Sequence, residues 1–343
     1  MIDFRYHLVS IVAVFLALAI GIVVGSTALK GSVLTGLNTA SKHELRTIKS
    51  LYAHNSQLKN QISADESFAQ AAEGSLLRGL LAGERVVLVL APGADGTTVD
   101  GVTTALQEAG AAVTGQVVLS PQFFDTGAAT EQQLQTTASS LAPAGLTLPH
   151  ASPDPQISGQ QEAAQVIAAA IVSKDGLIPT LTPQQTQHIL TGFGNAGFLQ
   201  INGVNGNAAL AGQATMAVVV LPATVPPAKT AVSFNMALIS LTQDLQEASK
   251  GALLAGSLKG SGPRSAVDAV VNGSAGVTLT TVDNAETVTG QIIVAQALRE
   301  LLNPHPTPAA YGVRPNAAPS PAPSPVASPS VSPSPPSRKK SRK

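Results

Sequence analysis

The alternation of apolar and polar positions divides the chain into four stretches. From Leu8 to Val24 the sequence reads LVSIVAVFLALAIGIVV, and no residue between Arg5 and Lys30 carries a formal charge. A helix rising about 1.5 Å per residue carries this run across about 26 Å, or about 33 Å when continued to Leu29, which is enough to cross a bilayer core. The expectation is one transmembrane anchor over residues 1–30. A cleaved signal peptide fits the same run, with Arg5 as its basic start and Ser26-Thr27-Ala28 as a cleavage site. The length of the run favours the anchor. Flanking charge hardly decides orientation, because Arg5 stands on one side and Lys30 and Lys42 on the other. Ala13, Ala17, Gly21 and Gly25 recur every four residues, and the last two form a GxxxG pair through which two helix backbones can approach closely. Such stripes also arise by chance in alanine-rich helices.

Over residues 31–83 the apolar positions fall three and four apart. Leu34, Leu37, Ile48, Leu51, Leu58 and Ile62 follow this spacing, with Ser41, Glu44 and Asn55 at the intervening core positions. The pattern predicts a coiled-coil stalk interrupted in its first half. Asn55 falls at an a position, where a buried amide costs stability but favours a parallel two-stranded register. The predicted dimer interface is therefore Gly21, Gly25, Ile48, Leu51, Asn55, Leu58 and Ile62. An amphipathic helix folded back on the following domain needs only the same stripe.

From Arg85 the period changes. Short apolar runs without alternation, RVVLVL and AAVTGQVVLS, suggest strands covered on both faces. Further strands are expected near 197–201, 215–221, 252–255 and 276–280, and helices near 160–173, 182–191, 233–248, 263–272 and 289–302. This alternation predicts a three-layer α/β domain over residues 84–303, with a mostly parallel sheet. Residues 128–159 hold four prolines and are expected to be irregular or an excursion from the sheet. The last stretch, 304–343, holds 12 of the 24 prolines and reads as a disordered Pro/Ser-rich tail.

Composition removes several function classes. Lys plus Arg and Asp plus Glu each number 20, so no global basic field recruits nucleic acid. Five of those positive charges stand in Arg338 to Lys343, leaving the body mildly acidic. Outside a cell, this basic end could meet an anionic wall polymer. There is no cysteine, hence no disulfide, thiolate metal site or Cys nucleophile, and with no Trp and 3% aromatic residues the usual stacking surfaces are lacking.

Motifs add little chemistry. Gly192-Phe193-Gly194-Asn195-Ala196-Gly197 fits G-x-G-x-x-G, but a helix precedes it and a strand follows, the reverse of a dinucleotide site. It reads as a glycine-rich helix stop. Gly260-Ser261-Gly262-Pro263-Arg264 lies between a strand and a helix, where free amides and Arg264 suit an anion, although capping alone accounts for these residues. Asp95 and Asp100 lie at the carboxyl end of the first strand, where open α/β sheets place ligands; ordinary turn chemistry explains them as well. The six histidines include no pair three to five apart, and Met216 and Met236 belong to no methionine cluster, whereas copper(I) sites want several soft donors together. No hydrolase, zincin or P-loop signature is present, so no enzyme, catalytic residue or cofactor is expected.

The opening FRYHLVSIVAVFLALAIGIVVGSTAL, followed by RVVLVLAPGAD, GALLAGS, TTVDNAET, ALRELL and Tyr311-Gly312, resembles the actinobacterial family of mycobacterial copper transport proteins of the MctB type. The similarity is collinear from Met1 to about Gly312. It implies a copper-homeostasis role in the cell envelope, with a channel-like part in copper efflux, and carries over no ligand residues. It also supplies the direction in which the bulk of the chain lies outside the cell membrane. One helix per chain cannot line a route, and an α/β domain is not a closed barrel, so a pore needs several copies. The alternative is a parallel-dimeric envelope scaffold that docks partner proteins in cell-wall remodelling or cell separation.

Overall fold

The computed structural model describes residues 4–143, 146, 158–174, 181–203 and 209–321, without the side chains of 4–5, 27–43 and 158. The proline-rich stretch from 322, with its basic end, lies outside the described residues. The chain divides into two units, Met1–Ser67 and Phe68–Lys343. The first is helical throughout its described length, as part of α1 (Phe4–Leu77).

The second unit is built on seven strands in the order β3-β2-β1-β4-β5-β6-β7. They are β1 (Arg85–Leu90), β2 (Ala112–Leu119), β3 (Leu199–Gly203), β4 (Met216–Val220), β5 (Gly251–Ala255), β6 (Thr280–Val282) and β7 (Ala310–Tyr311). Only β3 runs antiparallel, at the edge beside β2. The central strands are continuous apolar runs because both faces are covered. Alternate side chains point to opposite faces: Val87, Val89, Ala217, Val219, Ala252 and Leu254 join one core, while Val86, Leu88, Met216, Val218, Leu253 and Ala255 join the other.

Against the first face pack α3 (Ala128–Leu141), α4 (Ser158–Ile171), α5 (Pro183–Asn195), α6 (Ala231–Ala248) and α7 (Ala266–Val271). Against the second pack α2 (Gly96–Glu108), α8 (Val288–Leu301), Leu77 at the end of α1 and Leu81 in the turn after it. The expected three-layer α/β domain is therefore present. Helix starts follow capping chemistry: Thr182 and Gln185 close a reciprocal capping box on α5, and Thr287 accepts the Gly290 amide at the start of α8. A Cβ at Gly290 would overlap the Asn284 carbonyl oxygen, so α8 can dock here only with glycine.

Three expectations need correction. Residues 128–159 begin with a regular helix, α3, because all four prolines of that stretch follow it and Leu134 and Ala138 recur one turn apart on its buried face. Strand β6 starts at Thr280 rather than 276, since Gly273 and Gly276 both take positive φ in the preceding turn. The tail also starts later than 304. Residues 310–311 form β7 parallel to β6, and Tyr311 bridges to Ala318.

The strap that follows β7 is fixed by two carboxylates. Asp283, 2% exposed, accepts hydrogen bonds from the amides of Val313 at 2.9 Å and Arg314 at 3.1 Å. The Arg314 guanidinium pairs with Asp268 at 3.5 Å and donates to the Ser261 carbonyl. Gly312 crosses Asp283 at φ +133, where a Cβ would overlap the carboxylate. Tyr311 donates to Glu300, and burial together with that carboxylate raises the phenol above its ordinary range. At the amino-terminal ends of the central strands β1, β4 and β5, Glu84 accepts from Thr215 at 2.6 Å and pairs with Lys250 at 3.0 Å.

A chain ended at Asn303 loses β7 and both amides that donate to Asp283, a loss of about 1.5–3 kcal/mol for each hydrogen bond to a charged group. Its melting temperature in detergent should fall well below that of the full chain, while a chain ended at Pro321 should keep the full-length value. Asp283→Ala, which strands two amides instead, should cost about 1–3 kcal/mol.

Candidate functional site

In the first unit one helical segment is long and apolar enough to cross a membrane, Tyr6–Ser26, and none of it is buried. Leu8, Phe15 and Ile22 are 57, 66 and 62% exposed. A segment apolar all round demands a bilayer or protein cover. Gly21 and Gly25 lie here, one turn apart, with nothing within 4 Å of a Cβ built at either. Among the described residues no contact requires glycine at those positions.

Further along α1, Ile48, Leu51, Leu58 and Ile62 are all exposed, as are Leu45 and Tyr52 beside them. Ile48, Leu51, Tyr52, Asn55 and Lys59 line one concave strip along the helix. Their spacing of three and four places them on a single face. The side chains of Leu34, Leu37, Ser41 and His43 lie outside the described set. The structure thus places Gly21, Gly25, Ile48, Leu51, Asn55, Leu58 and Ile62 on one helix and gives the latter five an open face.

The α/β domain closes the positions where its sheet might have offered a ligand site. Asp95 caps α2: its carboxylate accepts from the Thr97 hydroxyl and from the Thr98 amide at 3.0 Å, and these bonds hold it below the usual carboxylate range. In the Gly260–Arg264 loop, Gly260 N donates to Ser257 Oγ and Arg264 N to Asp268. Asn235 Nδ2 holds the Arg264 carbonyl at 2.7 Å, with Arg264 at φ +69. The amides of Gly260, Ser261 and Arg264 thus already have acceptors. Gly192 and Gly194 fall inside α5, and Gly197, at φ +85, turns the chain into β3. The glycine-rich helix stop is as expected.

Among the described residues no group of three or more His, Cys, Asp or Glu is placed to hold a metal ion. Met216 is fully buried in the sheet, and Met236 lines a groove of about 370 Å³ between α6 and α7. Two clefts, of about 620 and 380 Å³, share His188 on α5, and neither lining includes a carboxylate to pair with it. His150 lies outside the described residues. Sequence reading missed Asp283, whose only signal was an isolated Asp-Asn after a short strand, and Asp244, a partly buried carboxyl on α6.

Comparison with known proteins gives the family. A family described as copper transport outer membrane protein, MctB, matches residues 1–321. The copper transporter MctB of Mycobacterium leprae is 30% identical over 315 residues, covering 91% of this chain and 96% of that protein. Those of Mycobacterium tuberculosis and Mycobacterium bovis are each 29% identical over 305 residues, covering 88% of this chain and 94% of theirs. Matched from its first residue through the strap behind β7, the chain belongs to the MctB family of copper transport outer membrane proteins.

Proposed function

We propose that this chain is a single-pass, membrane-anchored envelope protein of copper homeostasis, non-catalytic, with the bulk of the chain outside the cell membrane. It works as a parallel dimer or higher oligomer joined through α1. The observation that carries this reading is one uninterrupted helix bearing first an apolar segment of membrane-spanning length and then an exposed stripe at coiled-coil spacing. Oligomerisation is the step that a transport role requires, because one helix cannot enclose a path for a cation. The relatives' name supplies copper as cargo. The basic end, Arg338 to Lys343, then meets anionic wall polymer.

The donor set favours an indirect part for the α/β domain in handling copper. Copper(I) selects clustered thiolates and thioethers, and this chain has no Cys and three Met. A second reading rests on the same stripe: a dimeric scaffold that docks envelope proteins during cell-wall remodelling or cell separation.

Two tests follow. Sedimentation of the full chain in detergent should give a dimer or larger species. Replacing both Gly21 and Gly25 by Leu should weaken that association, and Asn55→Leu should raise the thermal stability of the stalk while broadening the oligomer distribution. A monomer at high concentration would overturn the seam. Competition with a copper(I) chelator should show no submicromolar site on the purified protein. Tight binding abolished by one His→Ala change would replace the indirect role with direct copper handling. In spheroplasts, external protease should digest everything beyond the anchor, and full protection would reverse the orientation.

A further inference from the structure

The groove of about 370 Å³ between α6 and α7 is small, near the lower bound of about 300 Å³ for ligand pockets. Ala228 just before α6, and Val232 and Met236 on it, recur every four residues and so form one apolar wall. Ala269 of α7 also lines the groove. Val232 is 76% exposed, an apolar side chain left to water beside a concave surface.

Two polar side chains of the same lining lack partners. Arg264 has its amide on Asp268 and its carbonyl on Asn235 Nδ2, and these bonds hold it at φ +69, where a residue with a side chain is uncommon. Its guanidinium, by contrast, has no ion-pair or hydrogen-bond partner among the described residues. Asn235 is 6% exposed. With Nδ2 taken by the Arg264 carbonyl, its Oδ1 accepts no hydrogen bond among the described residues, yet that atom is not sealed in the interior and so opens on the groove.

A buried acceptor beside a free cation, with an apolar wall next to both, calls for an N–H, an anion and a small apolar group within one short unit. The last residue of a polypeptide carries all three on a single Cα. We propose that this groove binds the free C-terminus of a partner polypeptide ending in a small aliphatic residue. The α-carboxylate pairs with the Arg264 guanidinium, the last amide donates to Asn235 Oδ1, and the side chain rests against Val232 and Met236. The site uses no residue of α1 and stands apart from the copper and oligomer readings.

The surroundings favour this occupant over simpler ones. Asp268, the other charged group of the lining, is already satisfied: one oxygen pairs with Arg314 at 3.5 Å and the other takes the Arg264 amide at 3.1 Å. The uncompensated charge of the groove is therefore that of Arg264. The first turn of α6, which Thr230 does not cap with its side chain, adds the positive end of a helix dipole. A fatty acid offers no N–H to Asn235, and sulfate offers neither an N–H nor an apolar group to the wall. The basic stretch Arg338 to Lys343 would bring like charge to Arg264.

The test is fluorescence anisotropy with the full chain in detergent and a fluorescein-labelled Gly-Ser-Ala-Val peptide, as the free acid and as the C-terminal amide. The acid should bind saturably and about tenfold or more tighter than the amide, the loss expected for a hydrogen bond to a charged group. Asparagine tolerates the left-handed backbone, so Arg264→Asn removes the cation and keeps the turn. That variant should bring the acid down to the affinity of the amide and leave the amide unchanged. Val232→Glu, at an exposed position, should weaken the acid through like charge and a lost wall, and it carries the comparison should Arg264→Asn fail to fold. Equal binding of acid and amide by the wild type, undiminished binding by Arg264→Asn, or no saturation at millimolar peptide would overturn the proposal. Tighter binding of a Gly-Ser-Arg-Lys acid would overturn the choice of a small aliphatic end.

Discussion

Everything in the α/β domain depends on covering the central strands twice. β1, β4 and β5 carry apolar side chains to both faces, so neither face can be left to water, and the chain must supply a helical layer on each side. That demand explains the composition: small and β-branched residues fill the strands and alanines fill the facing helices, which leaves few positions for charge. It also explains why polar groups that do enter the interior, such as Asp283, have dedicated partners at the ends of the strands.

The same demand separates what could be read in the sequence from what could not. Runs such as RVVLVL and GALLA announce buried parallel strands without help from tertiary context, and the capping residues Thr182 and Thr287 mark helix starts that the structure keeps. Helix α3 was hidden because prolines 143 to 155 colour the composition of a window whose first half contains none. β7 was hidden for a similar reason. Two residues of strand have no period to detect, and their stability comes from Asp283 and Arg314, partners about thirty residues apart in sequence.

The candidate surface was legible in a different sense. Gly21, Gly25 and the Ile48 to Ile62 stripe stand out in sequence because their environment is not the chain's own core, and they remain open in the folded molecule. Sequence periodicity can identify a face in want of a partner, and the fold of one chain leaves that want unmet. In the Gly260 to Arg264 loop the capping reading is filled in by details that periodicity never contains: Ser257 and Asp268 reach back to take the amides of Gly260 and Arg264.

The glycines that admit α8 and the strap bear on how this fold diverges. At Gly290 and Gly312 a side chain would occupy the space of a carbonyl oxygen and a carboxylate that other parts of the fold hold in place. Hydrophobic strand residues can exchange among Val, Ile and Leu with little consequence, so the sheet drifts freely in sequence. These two positions cannot follow. In distant chains whose strands have lost recognisable identity, a glycine three residues after a helix-capping Thr and another directly after the final strand's Tyr would be the surviving marks of common descent.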